Sequence, residues 1–390
     1  MTRLRSSRSV AVALVTFATF TDMVAYSVAA PVLPDLSRKL GASPTMIGLL
    51  FASFGVTLLI VSMPMGAVSD RIGRKGPMVG GLVALAAATS LFAFADSLPW
   101  LFAARLVLGA ADAVTWVVGF ALVADLYDQE ERGRVMGLVM SGTNFAFMIG
   151  PSIGGWLYES GGMRLPFLFV AALALAGAAA FLWFDVPSRR TVYEAVPMGT
   201  VLRVPAVAAC AIAVVAAAAT ISMLEPVLPL FLTARLGIGP ARVGLIFGVG
   251  AVASTALHPI YGRLVNRFGA RQLTMIALVL VACVLPLLSF ASSFGSAIGL
   301  YVLGTASVAL AITPSLAYMA EATASAGVGS FGVGYGLYNM AWGAGLLSGP
   351  AIGGFLYERI GFTRLMLAWS PVLVVVTLLL ARVQSGRRSP

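Results

Sequence analysis

The sequence predicts an all-α polytopic membrane protein with twelve transmembrane helices in two pseudo-symmetric six-helix bundles. Long apolar segments almost free of charge, and a repeat of the first half of the chain in the second, predict this class. Of the 390 residues, 59% are hydrophobic and 10% are charged, whereas a soluble domain carries about 25% charged residues. An apolar segment of about 20 residues is long enough to span a bilayer. The composition therefore excludes an ordinary soluble globular protein.

The twelve candidate spans are the apolar runs between charged, proline or glycine breaks. Their approximate limits are 10–34, 45–66, 77–95, 99–124, 134–158, 164–184, 205–233, 241–262, 271–292, 296–320, 329–356 and 363–382. We expect one bundle in residues 1–184, a cytoplasmic linker in 185–204 and a second bundle in 205–390. Placing both termini in the cytoplasm puts most arginines on the inner side, as the positive-inside rule requires.

Short motifs recur between the two halves. The run from Pro31 to Pro34 returns from Pro226 to Pro229. The segment Gly150–Gly155 returns as Gly349–Gly354, and a Leu-Tyr-Glu triplet follows each copy closely. Two homologous halves related by an axis along the membrane normal imply alternating access around a central site.

Residue counts exclude several kinds of chemistry. Neither lysine, Lys39 or Lys75, precedes Ser or Thr, so a Walker A loop is absent. One histidine and two separated cysteines give no clustered metal or haem site. We expect no enzyme, because no nucleophile–base pair is visible, and no cofactor or metal. The net charge of +10 lies mainly at segment ends, so it orients spans and does not indicate nucleic acid.

Four ionisable residues lie well inside predicted spans: Asp22, Arg105, Asp112 and Glu225. A charge near mid-bilayer costs several kcal/mol, so each needs a reason to be there. Asp22 lies midway along the first span, and the Tyr26 hydroxyl, one turn later on the same face, is placed to hydrogen-bond it. Because a buried carboxyl group takes up a proton readily, Asp22 is a candidate proton and cation site. The alternative is a structural carboxylate packed against another helix.

Arg105 and Asp112 share one stripe of the fourth span with Gly109 and Trp116. Two helical turns, about 10 Å, separate the arginine from the aspartate. Arg105 has a structural alternative as a ligand of backbone carbonyls. Asp112 is either a substrate or proton residue or a packing residue.

Glu225 precedes Pro226 in the outer part of the seventh span. A proline frees a carbonyl one turn earlier, near Ile221, and loosens the helix, so this carboxyl is a candidate for movement during gating. The alternative is an outer-end glutamate in contact with water.

Aromatic residues form a second candidate site in the eleventh span. Tyr335, Tyr338, Asn339 and Trp342 share a helical face, and aromatic faces hold organic cations. The alternative is ordinary packing. Secondary cavity candidates are Phe54, Trp116 and Asn144.

Three motifs resemble those of the major facilitator superfamily. Gly66-Ala-Val-Ser-Asp70-Arg71-Ile-Gly73-Arg74-Lys75 resembles motif A, and Arg105 followed by Gly109 resembles motif B. The segment with Gly150, Pro151, Gly154 and Gly155 resembles motif C, which the family associates with antiporters. The resemblance implies the fold of that superfamily. It also implies that Asp70, Arg74 and Asp125 form a charge relay that locks the outward-facing state, and that Arg105 supports proton transfer.

Asp22, nine residues before Pro31, looks like the first-span aspartate of vesicular monoamine transporters and related bacterial drug:proton antiporters. Glu225-Pro226 looks like their seventh-span acidic motif. The chain departs from them at Phe54, Ala309 and Asn339, where the amine transporters carry a lysine and two aspartates.

The sequence thus predicts a proton-coupled antiporter of the bacterial inner membrane. It would export lipophilic cationic small molecules, multidrug- or amine-like, and act as a monomer in the lipid bilayer. One alternative is a selective exporter of a single metabolite, such as a sugar or amino-acid derivative. The other is a transport-inactive membrane scaffold or sensor.

Overall fold

A computed structural model describes residues 8–127, 129–184, 201–325 and 331–383 of the chain. Within these ranges the secondary structure is helical, with no β-strand, so the all-α prediction is confirmed. Most of the predicted linker, residues 185–200, lies outside the described residues.

The first sequence half forms seven described helices. They are α1 (Arg8–Ser27), α2 (Leu33–Leu40), α3 (Pro44–Ile72), α4 (Lys75–Phe94), α5 (Leu98–Leu126), α6 (Gln129–Gly161) and α7 (Arg164–Trp183). The second half contains α8 (Pro205–Leu236), α9 (Pro240–Phe268), α10 (Ala270–Val284), α11 (Phe294–Ser325) and α12 (Phe331–Arg382). Short 3₁₀ helices occupy Ala30–Val32 and Leu285–Phe290.

Most helices extend a few residues beyond their predicted spans, and one predicted boundary needs correction. The α-helix of the first span ends at Ser27 rather than at 34, and a 3₁₀ turn with Pro31 and the short α2 follow, because proline removes a backbone donor. The last two predicted spans both lie in α12, where two helices meet at Gly361 with a φ of 77°, between the predicted limits 356 and 363. Glycine adopts that left-handed backbone without strain.

Ten stretches of the described chain are long and apolar enough to cross a membrane, against the twelve spans predicted. Two causes account for the difference. The segment α12 counts once but contains two predicted spans, and α6 does not qualify because charged residues begin it and Ser141, Thr143 and Asn144 interrupt its apolar run. The protein is a multi-pass membrane protein.

The chain divides into two compact units. Unit 1 comprises Met1–Ala42, Ser53–Tyr193 and Ile238–Gly248, and unit 2 comprises Ser43–Ala52, Glu194–Gly237 and Val249–Pro390. Within unit 1, α4 packs on α5 and α7, and α1 packs on α6. Within unit 2, α12 packs on α8, and α10 packs on α11. Each unit therefore also contains the start of one helix from the other sequence half.

Glycines of the two Gly-Pro segments allow helices within each unit to pack closely. A Cβ atom on Gly154 would lie 2.5 Å from the carbonyl oxygen of Val28, next to α1. On the opposite face, a Cβ atom on Gly155 would lie 2.8 Å from the Cα atom of Ala241 in α9. Unit 2 repeats the second contact, because a Cβ atom on Gly354 would lie 2.8 Å from the Cα atom of Gly48 in α3. Small residues at these points bring helix backbones together.

The glutamates of the two Leu-Tyr-Glu triplets cap the helices α9 and α3. In unit 1, Glu159 Oε1 accepts a hydrogen bond of 3.0 Å from the backbone N–H of Ala241, at the start of α9. In unit 2, Glu358 Oε2 accepts one of 2.9 Å from the N–H of Thr45, at the start of α3. The first N–H groups of a helix lack partners within it, and negative charge is favourable there. The repeated triplets therefore stabilise two helix starts.

The two caps differ in how much each helix depends on its glutamate. At α3, the Ser43 hydroxyl also accepts a 3.3 Å hydrogen bond from the N–H of Met46. At α9 the equivalent position is Gly239, which has no side chain. We expect Glu159→Ala to lower the free energy of unfolding by about 1 kcal/mol, the usual effect of losing a cap. Glu358→Ala should have the smaller effect, because Ser43 remains.

Unfolding of the detergent-purified variants, followed by circular dichroism, measures this difference. Ser160→Ala, at the exposed residue next to Glu159, is the matched control. An equal loss in both glutamate variants would contradict the cap assignment.

Candidate functional site

Asp22 lies on α1, five residues before the helix ends, and only 1% of it is exposed. Its Oδ2 atom accepts two hydrogen bonds from α5. The Thr115 hydroxyl donates one and the Trp116 indole N–H donates the other, each at 3.1 Å. The predicted intramembrane carboxyl is therefore buried and held by two neighbouring residues of one helix.

Asp112 completes a carboxyl pair with Asp22. It is 6% exposed, and its carboxyl group lies close to that of Asp22. Two adjacent carboxylates repel each other, which favours a proton on one of them. Such a pair titrates as one unit. The sequence predicted both residues but not their contact.

Arg105 faces a different part of unit 1. It is fully buried, and its guanidinium carbon lies 5.7 Å from the centroid of the Phe92 ring in α4. It lines a small cavity with Ala25 of α1 and Phe167 of α7. Arg105 and Asp112, two turns apart on α5, therefore have different neighbours. Arg105 lies beside Phe92 of α4, whereas Asp112 lies beside Asp22 of α1.

Tyr26 and the secondary candidates lie elsewhere in unit 1. The Tyr26 ring packs against Phe54, with 4.9 Å between centroids, and both residues are buried. Asn144 is exposed on α6. The predicted hydrogen bond from Tyr26 to Asp22 stays a prediction.

In unit 2, Glu225 is only 6% exposed, which contradicts the alternative of a water-contacting glutamate at the helix end. Tyr301, a buried residue of α11 that the sequence does not single out, lies in the neighbourhood of Glu225. The helix α8 continues through Pro226. The carbonyl four residues before that proline belongs to Ser222, one residue after the predicted position, and the Ser222 hydroxyl donates to the Gly345 carbonyl at 3.1 Å.

The predicted aromatic face in α12 is observed in part. Tyr338 is buried and stacks on Trp342, with 6.3 Å between ring centroids and an interplanar angle of 16°. Asn339 is exposed. The side chain of Tyr335 lies outside the described residues.

The charged residues of the motif A loop form a cluster around Arg74. This buried arginine contacts Asp70 at 2.5 Å and Asp125 at 2.9 Å, and it also donates to Ser69 at 2.5 Å. Burial lowers the pKa of Arg74, but the carboxylates of Asp125 and Asp70 raise it to above its ordinary value. The predicted ionic partners are thus in contact.

Other residues of the loop surround this cluster. Gly73 has a φ of 90°, which favours glycine. The side chain of Arg71 is exposed, and Gly66 approaches Val117 of α5.

The family model of the major facilitator superfamily matches residues 15–213 and 210–390. The chain belongs to this superfamily and is a membrane transporter. The synaptic vesicular amine transporter of Homo sapiens is 29% identical over 370 residues, which cover 92% of this chain and 69% of the human protein. A probable vesicular acetylcholine transporter of Danio rerio is also 29% identical, over 94% of this chain and 78% of the fish protein.

Solved structures show the same fold. The occupied, inward-facing bacterial homologue of the human lysosomal transporter Spinster has a TM-score of 0.83 at 15% identity, with 96% of each chain covered. The human organic anion transporter MFSD10 has a TM-score of 0.69 at 19% identity, over 95% of this chain and 99% of that one. The predicted superfamily fold and the resemblance to monoamine transporters are confirmed.

The Arg74 cluster predicts an effect on turnover. Asp70→Asn or Arg74→Ala should slow transport about tenfold, equivalent to about 1.4 kcal/mol, with little change in substrate affinity. The reason is that these groups lie at the ends of α3 and α4 that the sequence predicts to be cytoplasmic, where we expect them to bias conformations rather than contact ligand. Exchange rates and ligand binding in the same preparations measure the two effects. Arg71→Ala, at an exposed neighbour, is the control, and a large loss of affinity with unchanged turnover would contradict the prediction.

Proposed function

We propose that this transporter is a proton-coupled antiporter that exports lipophilic cationic small molecules across the bacterial inner membrane, with both termini in the cytoplasm. The observation that carries the proposal is the buried carboxyl pair Asp22–Asp112. A proton and an organic cation both require the negative charge of this pair. Binding of one therefore displaces the other, and exchange follows from this competition.

The charge balance of the intramembrane residues supports a cationic substrate. Three buried carboxyl groups, of Asp22, Asp112 and Glu225, accompany one buried arginine, Arg105. When all four are ionised, the acids exceed the base by two charges. A low-dielectric environment with that excess attracts cations and repels anions.

The relatives support the same class of substrate. They are named as transporters of amines and of acetylcholine. A protonated amine and a quaternary ammonium both carry positive charge, which a carboxylate and an aromatic face bind together. The stacked Tyr338–Trp342 pair in unit 2 offers such a face.

We expect Asp22→Asn to abolish proton-driven efflux and to leave membrane insertion intact. The asparagine keeps an acceptor for Thr115 and Trp116 but can neither release a proton nor hold the charge that a cation needs. Exchange in proteoliposomes with an imposed pH gradient measures the effect. Asp96→Asn, at an exposed aspartate between α4 and α5, is the matched control. Wild-type exchange in Asp22→Asn would show that Asp22 is not the coupling group.

Substrate binding should weaken as the pH falls. A permanently cationic aromatic compound should bind more tightly at pH 8 than at pH 6, by at most about tenfold per pH unit if each cation displaces one proton. The affinity falls at low pH because protons then occupy the carboxyl groups that the cation needs. Glu225→Gln should flatten the dependence of the affinity on pH. Calorimetric titration at the two pH values decides between the outcomes. Equal affinities, or preference for a neutral or anionic ligand, would favour a metabolite exporter instead.

A further inference from the structure

Two donors from adjacent residues of α5 converge on one oxygen atom of Asp22. The Trp116 Nε1 atom and the Thr115 Oγ1 atom each lie 3.1 Å from Oδ2. An indole N–H is a donor only, whereas a hydroxyl group carries a single proton to donate. The Thr115 hydroxyl also lies 3.0 Å from the backbone carbonyl of Asp112. It can therefore donate to the Asp22 carboxylate or to that carbonyl, while Trp116 donates to Asp22.

Trp116 also differs from its neighbours in accessibility. Asp22 and Thr115 are buried, but Trp116 is half-buried. Its ring stacks on that of Phe120, one turn later, with 5.5 Å between centroids and an interplanar angle of 26°. One side chain thus contacts the buried carboxylate and presents part of an aromatic surface.

We propose that Trp116 is a positioning residue that couples the proton site to the substrate. Its N–H, with the Thr115 hydroxyl, stabilises Asp22 in the ionised form that binds a cation, and its ring, with Phe120, receives the aromatic part of that cation. This inference rests on the proposed proton-coupled function and identifies the substrate class as aromatic cations.

The other ionisable groups around Asp22 are few. On α1 itself they are Arg8 and Tyr26, and on α5 they are Asp112, Arg105 and, near the end of the helix, Asp125. Three other helices, α4, α6 and α7, pack on α1, and they carry ionisable groups only near their ends. The same is true of α3, whose Phe54 contacts Tyr26 of α1. The end groups are Asp70, Arg71, Lys75, Glu130, Glu131, Arg132, Arg134, Tyr158, Glu159 and Arg164. A pH effect of Trp116 or Thr115 is therefore expected to act through the Asp22–Asp112 pair.

The pH profile of exchange tests the hydrogen bonds. Trp116→Phe keeps an aromatic ring but removes the N–H, and Thr115→Val removes the hydroxyl. Each variant destabilises the ionised carboxylate of Asp22, so Asp22 keeps its proton until a higher pH. The midpoint of the profile should rise by about one pH unit, the size expected for a hydrogen bond to a charged group. Thr115→Ser should restore the wild-type midpoint.

The aromatic surface is tested by affinity above the midpoint, where Asp22 is ionised. Trp116→Leu should weaken binding of an aromatic quaternary ammonium compound about tenfold, but weaken binding of tetraethylammonium much less. Phe120→Leu should weaken the aromatic ligand without moving the midpoint. Trp116→Phe should bind the aromatic ligand nearly as well as the wild type.

Failure of this inference and failure of the proposed function give different results. If Asp22→Asn abolishes exchange but Trp116→Phe and Thr115→Val keep the wild-type midpoint, the positioning role is wrong and the antiport proposal stands. If Asp22→Asn exchanges normally, Asp22 is not the coupling group, and the antiport proposal loses the carboxyl pair that carries it. Where Trp116→Phe does not fold, as judged by size-exclusion chromatography, the Thr115→Val and Thr115→Ser pair decides the question. An unshifted midpoint in Thr115→Val then overturns the inference.

Discussion

Lipid offers no hydrogen bonds, so each polar group inside the membrane must find its partner within the protein. Hydroxyl groups in this chain meet the constraint locally, as where Thr19 donates to the Val15 carbonyl one turn earlier. A carboxylate has no such local solution, because it needs donors. Asp22 obtains them from Thr115 and Trp116 of a second helix. The site therefore depends on how closely α1 and α5 approach each other.

Small residues make that approach possible. A Cβ atom on Gly119 of α5 would lie 3.1 Å from Val15 of α1. On another side of α1, Gly150 and Gly154 of α6 bring that helix against Ser27 and Val28. A helix packed in this way on two sides has little freedom to rotate, since protein interiors are densely packed. The glycines thus fix which residues of α5 face Asp22, and so determine its hydrogen-bond donors.

This dependence on packing explains how far the sequence could predict the site. Spans, repeats and intramembrane charges are properties of single segments, and Asp22, Asp112 and the partners of Arg74 were found from them and from motif resemblance. The contact of Asp22 with Asp112 depends on the register between two helices, which no single segment contains. The same holds for Glu159, whose partner Ala241 lies in the other sequence half. The helix α8 continues through Pro226, and the loosening predicted at that proline stays a prediction.

Comparison of the two sequence halves shows which contacts occur in both and which residues occur in only one. Lys75 donates to the carbonyl of Leu182 at the end of α7, and Arg271 donates to that of Leu380 near the end of α12. The carboxyl groups have no such correspondence. With Pro31 matched to Pro226, Asp22 corresponds to Ala217, and Glu225 corresponds to Ala30. Packing and capping therefore follow the repeat, whereas the acidic residues do not. Under the proposed antiport, the competition between proton and cation at the carboxyl pair is a property of unit 1, and Glu225 gives unit 2 a separate carboxyl group.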